Sequence, residues 1–199
     1  MKIGVLGGTF DPPHNGHLRV ADVVRQELGL DKVVFIPAGR PYFKGTSDVS
    51  PARHRLEMVR LAILGKPYLE CSPLEVERPG PTYTVDTLRQ LRQTMKDGEL
   101  FFILGCGSLA ELPCWREPSR IIRLCRLVVV PRPGYPLPEL ETLEGRVPGL
   151  LQSLIVMDKP SIDISASDIR SRVAQGKPIG HLVPEPVERY IRENRLYQA

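Results

Sequence analysis

The run Gly7-Gly8-Thr9-Phe10-Asp11-Pro12-Pro13-His14-Asn15-Gly16-His17 holds the densest chemistry in this chain. Gly7 and Gly8 follow an apolar, strand-like segment at 2–6, and without side chains they let the backbone approach a ligand closely. Pro12-Pro13 stiffens the turn. A helical pattern begins near His14, so free backbone N–H groups and a positive dipole end face whatever lies there, which makes an anion site. His14 and His17 stand three positions apart, and both imidazoles can share one face of the first turn and donate to phosphate oxygens. The same pair could be a metal pair, but no third ligand cluster is evident and H-E-x-x-H is absent. A bland alternative is a pair of satisfied histidines at a helix start. Neither G-x-G-x-x-G nor G-x-x-x-x-G-K-[ST] occurs.

A second constellation lies far along the chain at Ile164-Ser165-Ala166-Ser167-Asp168-Ile169-Arg170, just before a helical segment. Ser165 or Ser167 can cap that helix. Arg170 falls near its first turn, where a cation opposes the dipole, and an arginine there makes more sense if an anion shares the site.

These groups need a scaffold, and the chain supplies alternating strand and helix signals. Strands are expected at 2–6, 33–36, 68–76, 100–104, 127–130 and 154–157. Helices are expected at 15–28, from the Ser50-Pro51 start signal to about 64, at 82–95, 167–175 and 185–194. Leu18, Ala21, Val24 and Leu28 form one apolar face, and Val85, Leu88, Leu91 and Met95 another. The proline-rich stretch 131–138 reads as a surface loop. Apolar strands without alternation, separated by helices, predict an α/β fold with a doubly wound parallel sheet and C-terminal helices. Such sheets bind ligands beyond the carboxyl ends of their strands, which is where Gly7-Gly8 falls.

With 199 residues, 42% hydrophobic and 25% charged, one packed domain spanning 1–199 is expected rather than disorder. No apolar stretch approaches the roughly 20 residues of a membrane helix, no signal-peptide pattern opens the chain, and a cytoplasmic location is expected. Cys71, Cys106, Cys114 and Cys125 form no C-x-x-C pair and read as reduced, mostly buried thiols. The net charge of +4 is dispersed, without a Lys/Arg block or a basic stripe with aromatics. That suits small polyphosphates better than nucleic acid.

Gly7 to His17 resembles the signature of the nucleotidyltransferase superfamily with the H-x-G-H motif, and its longer form G-G-T-F-D-P-P-H-N-G-H resembles bacterial nicotinate-nucleotide adenylyltransferases. The segment at 164–170 resembles that family's I-S-x-T/S-x-x-R motif, and the likeness spans nearly the whole chain. It implies a Rossmann-like nucleotidyltransferase fold and adenylyl transfer from ATP to nicotinate mononucleotide in NAD biosynthesis. His14, His17 and Arg170 would be catalytic. Gly7, Gly8, Thr9, Phe10, Lys44, Ile164, Ser165, Ser167 and Arg170 would hold ATP, with Mg²⁺ carried by the triphosphate and no protein metal site. Gly80–Leu88 and Leu112–Trp115 resemble the family's pyridine end, and Arg132–Tyr135 its R-P-G-Y turn. Thr82, Tyr83, Thr84, Gly105, Gly107, Trp115 and Arg132 would therefore bind the acceptor. Helix-start N–H groups at Thr82–Thr84 would receive a carboxylate, and Trp115 would stack on the pyridine ring.

The acceptor's phosphate would attack the α-phosphorus of ATP and release pyrophosphate. Because that nucleophile is already an anion, catalysis reduces to alignment and charge neutralisation. One departure stands out. Where the family shows G-x-D after the strand at 100–104, this chain has Gly105-Cys106-Gly107, and Glu111, Ser108 or a backbone contact would substitute for the aspartate. The partners expected are ATP and a pyridine mononucleotide, with neither nucleic acid nor membrane; a homo-oligomer is compatible with the sequence. The alternatives are nicotinamide mononucleotide or phosphopantetheine as acceptor and, in another class, a non-catalytic nucleotide-binding regulatory module.

Overall fold

The computed structural model describes residues 1–40, 49–95 and 97–198. β1 (Lys2–Gly8), β2 (Lys32–Pro37), β3 (Leu69–Cys71), β4 (Glu99–Gly105), β5 (Arg126–Val130) and β6 (Leu154–Val156) form a six-stranded sheet in the order β3-β2-β1-β4-β5-β6. Every pairing between them is parallel. The helices in chain order are α1 (Asn15–Leu28), α2 (Ala52–Ala62), α3 (Thr84–Thr94), α4 (Cys106–Glu111), α5 (Pro118–Leu124), α6 (Leu140–Arg146), α7 (Leu150–Ser153), α8 (Ala166–Ala174) and α9 (Glu185–Glu193).

The strands are apolar throughout because both faces of the sheet are covered. Leu6, Phe35, Ile103 and Val128 pack with the buried sides of α1, α2, α8 and α9. Val5, Ile36, Phe102 and Val129 pack on the opposite side with α3 to α7. The expected doubly wound sheet is therefore present, and the expected apolar faces of α1 and α3 point into it. The strand order reverses between β1 and β4, whose carboxyl ends are Gly8 and Gly105, and a crevice opens at such a reversal.

Several expectations change. The strand expected over 68–76 is only Leu69–Cys71. Ser72 still donates its N–H to the Phe35 carbonyl, at 2.9 Å, but Pro73 has no N–H with which to continue the ladder. The Ser50-Pro51 start sits one position later than expected: Pro51 holds the cap position of α2 and no side chain caps it. Four short helices, α4 to α7, occupy stretches that carried no helical signal. The expected surface loop at 131–138 is a loop, mostly exposed. All four cysteines are free; Cys106 and Cys125 are buried, whereas Cys114 is exposed.

The loops at the carboxyl edge are held by a buried arginine. Arg55, on α2, is 1% exposed. Its Nε donates to the Ser50 carbonyl at 2.9 Å, Nη1 to Thr9 at 2.8 Å and Nη2 to Gly39 at 3.0 Å. Burial draws its pKa down, and the Asp11 charge opposes that fall. One guanidinium thus ties together the turn after β1, the turn after β2 and the entrance to α2. Gly39 is tied a second way, since a Cβ there would stand 2.1 Å from the Glu75 carbonyl oxygen. Only glycine allows that approach.

Arg55→Met should keep the apolar stem and strip three buried carbonyls of their donor. Unfolding in urea should show a loss of about 1–3 kcal/mol or more, the cost of leaving buried acceptors unpaired. An unchanged midpoint would show that these segments hold themselves.

Candidate active site

The turn after β1 places two imidazoles. His14 takes the N-cap position of α1 in extended backbone, and Asn15 opens the helix. The two rings stack, with centroids 3.6 Å apart and planes 23° from parallel. The His14 backbone N–H donates to His17 Nδ1 at 3.1 Å. That acceptor role leaves the proton of a neutral His17 on Nε2, as a donor. His14 is 7% exposed, and its Nδ1 is buried with no partner. Gly16 makes the stack possible, because a Cβ there would come within 2.9 Å of His14 Nδ1. Phe10 supports the pair from below: it adopts φ 51°, is buried, and meets the His17 ring edge-on at 5.0 Å. Phe10 also lines the cavity that both histidines border on the Arg170 side.

Both histidines are held neutral. Burial, then the nearby Arg132 charge, lower His14 from 6.5 to about 4. His17 is pushed well below 6.5 by burial, by His14 and by Arg132.

Two adjoining cavities meet at this pair, and a third joins the middle one at Gly7, Ser108 and Trp115. One, of about 470 Å³, is lined by Thr9, Asp11, His14, His17, Arg132, Ile164, Ser165, Ser167 and Arg170. The two motifs expected to share a site therefore do meet, although they lie at opposite ends of the chain. Ser165 is the N-cap residue of α8, without a side-chain cap bond. Arg170 donates through Nη1 to the Asp11 carbonyl at 2.8 Å, and its Nη2 lies 3.4 Å from Ser167 Oγ. A middle cavity of about 250 Å³ is lined by Gly7, Gly105, Ser108, Trp115 and Ile164, and both histidines reach it. The third, of about 500 Å³, lies beyond Gly7 and Gly8 and is walled by Glu75, Thr82, Tyr83, Thr84, Glu111 and Trp115.

The acceptor end departs from expectation in several details. α3 begins at Thr84, not Thr82. The Thr82 N–H and hydroxyl both turn to the Arg40 carbonyl, at 3.4 and 3.2 Å, although Thr82 and Tyr83 still line the cavity beside the helix start. Gly107 lines none of the three cavities. It lies under Tyr135, whose ring would sit 3.4 Å from an added Cβ. Ser108 lines two cavities and Glu111 one. Arg132 borders the middle cavity and the Arg170-side one rather than the third, with its guanidinium 5.1 Å above the Tyr135 ring. Trp115 stands between the middle and third cavities, edge-on to Phe102, and its indole N–H is buried and unpaired. Lys44 lies outside the described residues.

Three groups at the site escaped the sequence reading. Asp11 was seen as part of the motif but given no role, yet it is 3% exposed and accepts three bonds, one on its carbonyl and two on its carboxylate. Glu75, whose carboxyl is raised by burial, accepts from Thr87 Oγ1 at 2.6 Å in the third cavity. Arg55 carried no signal that set it apart from a surface-helix arginine. Among the described residues, no three His, Cys, Asp or Glu side chains cluster as metal ligands. Among them, too, no helix is long and apolar enough to cross a membrane.

Comparison with known proteins agrees with this geometry. The cytidylyltransferase-like family model matches residues 5–172. A probable nicotinate-nucleotide adenylyltransferase of Dehalococcoides mccartyi is 51% identical over 198 residues, covering 99% of this chain and 97% of that protein. One from Thermomicrobium roseum is 47% identical, covering 100% and 92%. Among solved structures, Plasmodium falciparum nicotinic acid mononucleotide adenylyltransferase complexed with NaAD superposes with a TM-score of 0.81. It covers 98% of this chain and 97% of that one, and at 18% identity it speaks for the fold alone. A family model over most of the chain, relatives at about half identity from end to end, and the H-x-G-H turn at the reversal of a parallel sheet agree: the chain belongs to the nicotinate-nucleotide adenylyltransferases, within the cytidylyltransferase-like nucleotidyltransferases.

Proposed function

We propose that the chain transfers the adenylyl group of ATP to nicotinate mononucleotide, forming nicotinate adenine dinucleotide and pyrophosphate. The observation that carries this reading is the stacked, neutral histidine pair where the Arg170-side cavity meets the middle one, which opens past Trp115 into the third. Relatives at about half identity bear the matching name.

In this reading the triphosphate lies along the phosphate-side cavity, adenosine fills the middle one, and the mononucleotide occupies the third. The acceptor's phosphate oxygen forms a bond to the α-phosphorus, and the bond from that phosphorus to the bridging oxygen of pyrophosphate breaks. His17 Nε2–H donates to the α-phosphate as charge builds on it. A neutral imidazole suits this role because it donates a hydrogen bond and keeps its proton. His14 supports it by stacking. Arg170 and Arg132 neutralise the outgoing pyrophosphate, and the Ser167 hydroxyl donates to it. No general base is needed, so positioning and electrostatics carry the rate. Ser108 and Glu111 serve the acceptor in place of an aspartate at position 107. The helix start at Thr84 and the ring of Trp115 favour a pyridine bearing a carboxylate.

Nucleotidyltransferases generally work with a divalent ion on the nucleotide, and Mg²⁺ enters here as part of the substrate. Asp11 is the only acidic side chain among the described residues lining the phosphate-side cavity. Both its carboxylate oxygens are occupied, by the Ser50 N–H and the Tyr197 hydroxyl. The ion would therefore be held by phosphate oxygens and water.

A pyrophosphate-release assay with Mg²⁺ and ATP, comparing nicotinate mononucleotide, nicotinamide mononucleotide and phosphopantetheine by kcat/KM, tests the assignment. Nicotinate mononucleotide should lead; silence with all three would favour a binding module. His17→Ala should cut kcat by about 100- to 1000-fold, the usual cost of one transition-state donor, with an unchanged circular dichroism spectrum. Near-normal turnover in that variant would remove the histidine from the mechanism.

The pH behaviour follows from the depressed imidazoles. Unfolded His14 takes up a proton near 6.5, and the folded side chain refuses it until about 4. Stability is therefore complete above 6.5 and falls as the pH is lowered toward 4. Imidazole NMR signals of His14 and His17 should stay in the neutral position through pH 6.5. A midpoint near 6.5 for either would show that it is not desolvated.

A further inference from the structure

Asp11 joins three segments that are remote in sequence. Its Oδ2 accepts the Ser50 N–H at 3.1 Å, its Oδ1 accepts the Tyr197 hydroxyl at 2.6 Å, and its carbonyl accepts Arg170 Nη1 at 2.8 Å. Tyr197 belongs to the tail after α9. Arg195 and Tyr197 take φ values of 51° and 62°, left-handed for residues that are not glycine. The Leu196 N–H closes that turn on the Ile191 carbonyl at 3.0 Å. Such backbone persists only where surrounding contacts determine it. Burial, and then the Asp11 charge, keep the tyrosine hydroxyl protonated and so a donor.

We infer that Tyr197 is a positioning residue for the phosphate-side cavity: its hydroxyl fixes Asp11, and the Asp11 carbonyl fixes Arg170. One guanidinium nitrogen of Arg170 is spent on that carbonyl, which aims the rest of the fork. Without the hydroxyl, Asp11 loses one of its two carboxylate partners, and the carbonyl that holds Arg170 loses its reference. The tail of the chain thus sets the geometry of an arginine that the sequence places 27 positions earlier. The inference rests on the reading that Arg170 binds ATP phosphates.

Tyr197→Phe keeps the ring and removes only the hydroxyl. The KM for ATP should rise about tenfold, the scale of one hydrogen bond to a charged group, while the KM for nicotinate mononucleotide stays within about twofold. Arg170→Lys should raise the KM for ATP by itself. In the double variant Tyr197→Phe should add nothing further, because the group it positions is gone. A purely structural tyrosine would instead raise both KM values together or leave both alone, and either result overturns the inference. So does a double variant in which the two effects multiply. If Arg170→Lys binds ATP normally, the reading of Arg170 falls first and this inference with it.

A second measurement does not depend on turnover. By the reciprocity of linked equilibria, a non-hydrolysable ATP analogue should slow amide exchange at Leu196 in the wild-type chain and not in Arg170→Lys. Exchange unaffected by the analogue in the wild-type chain overturns the inference.

Discussion

A buried guanidinium is tolerable only when its N–H groups are satisfied, and that constraint shapes the ligand-facing edge of this molecule. Arg55 meets it with three main-chain carbonyls, one from the turn after β1 and two from the opposite ends of the β2–α2 connection. By drawing Thr9, Gly39 and Ser50 onto one rigid fork, the arginine converts loose connections into the wall of a crevice. Asp11 lies beside it and repeats the arrangement with the charge reversed, an acceptor gathering donors from Ser50, Tyr197 and Arg170.

The chemistry at the cavity junction follows from a division of charge. The imidazoles are crowded and dry, and the neighbouring Arg132 disfavours a further positive charge. They remain neutral donors of fixed tautomer. The permanent charges stand around them, on guanidiniums that no accessible pH discharges. A phosphate chain entering the crevice therefore meets strong, pH-independent attraction along its length and short, directional donors at one phosphorus. A carboxylate or a lysine in place of the histidines would have brought a charge of its own and blurred that division.

Much of this was legible in the sequence, for identifiable reasons. The strands read cleanly because burial on both faces leaves unbroken apolar runs such as Phe101-Phe102-Ile103-Leu104. The turn from Gly7 to His17 read cleanly because its chemistry is local: glycines, prolines and two histidines act within one bend. Ser165 to Arg170 was legible for the same reason, and its junction with the first motif followed from sheet topology. Less was visible where short elements or distant partners decide. Helices such as α4 and α5, with six and seven residues, are too short to show a period. β3 was drawn too long because Leu74 and Val76 look strand-like and Pro73 ends the ladder between them and Cys71. Arg55, Glu75 and Tyr197 gain their importance from partners 5 to 186 positions away, which spacing cannot show. Gly107 was read as a lost acceptor contact, yet Tyr135 covers it and the cavity wall falls to Ser108 and Glu111.

The position of Trp115 has a practical side. It is the only tryptophan in the chain. Its indole stands at the partition between the middle and third cavities, with its N–H directed to no acceptor among the described residues. Ultraviolet emission excited at the red edge therefore comes from one chromophore at one address, without dilution from elsewhere in the fold. A stacked aromatic ligand quenches such an emitter, and a new hydrogen-bond acceptor shifts its colour. The chain carries its own optical gauge of which compartment is filled, and the order of filling can be followed in real time without a label.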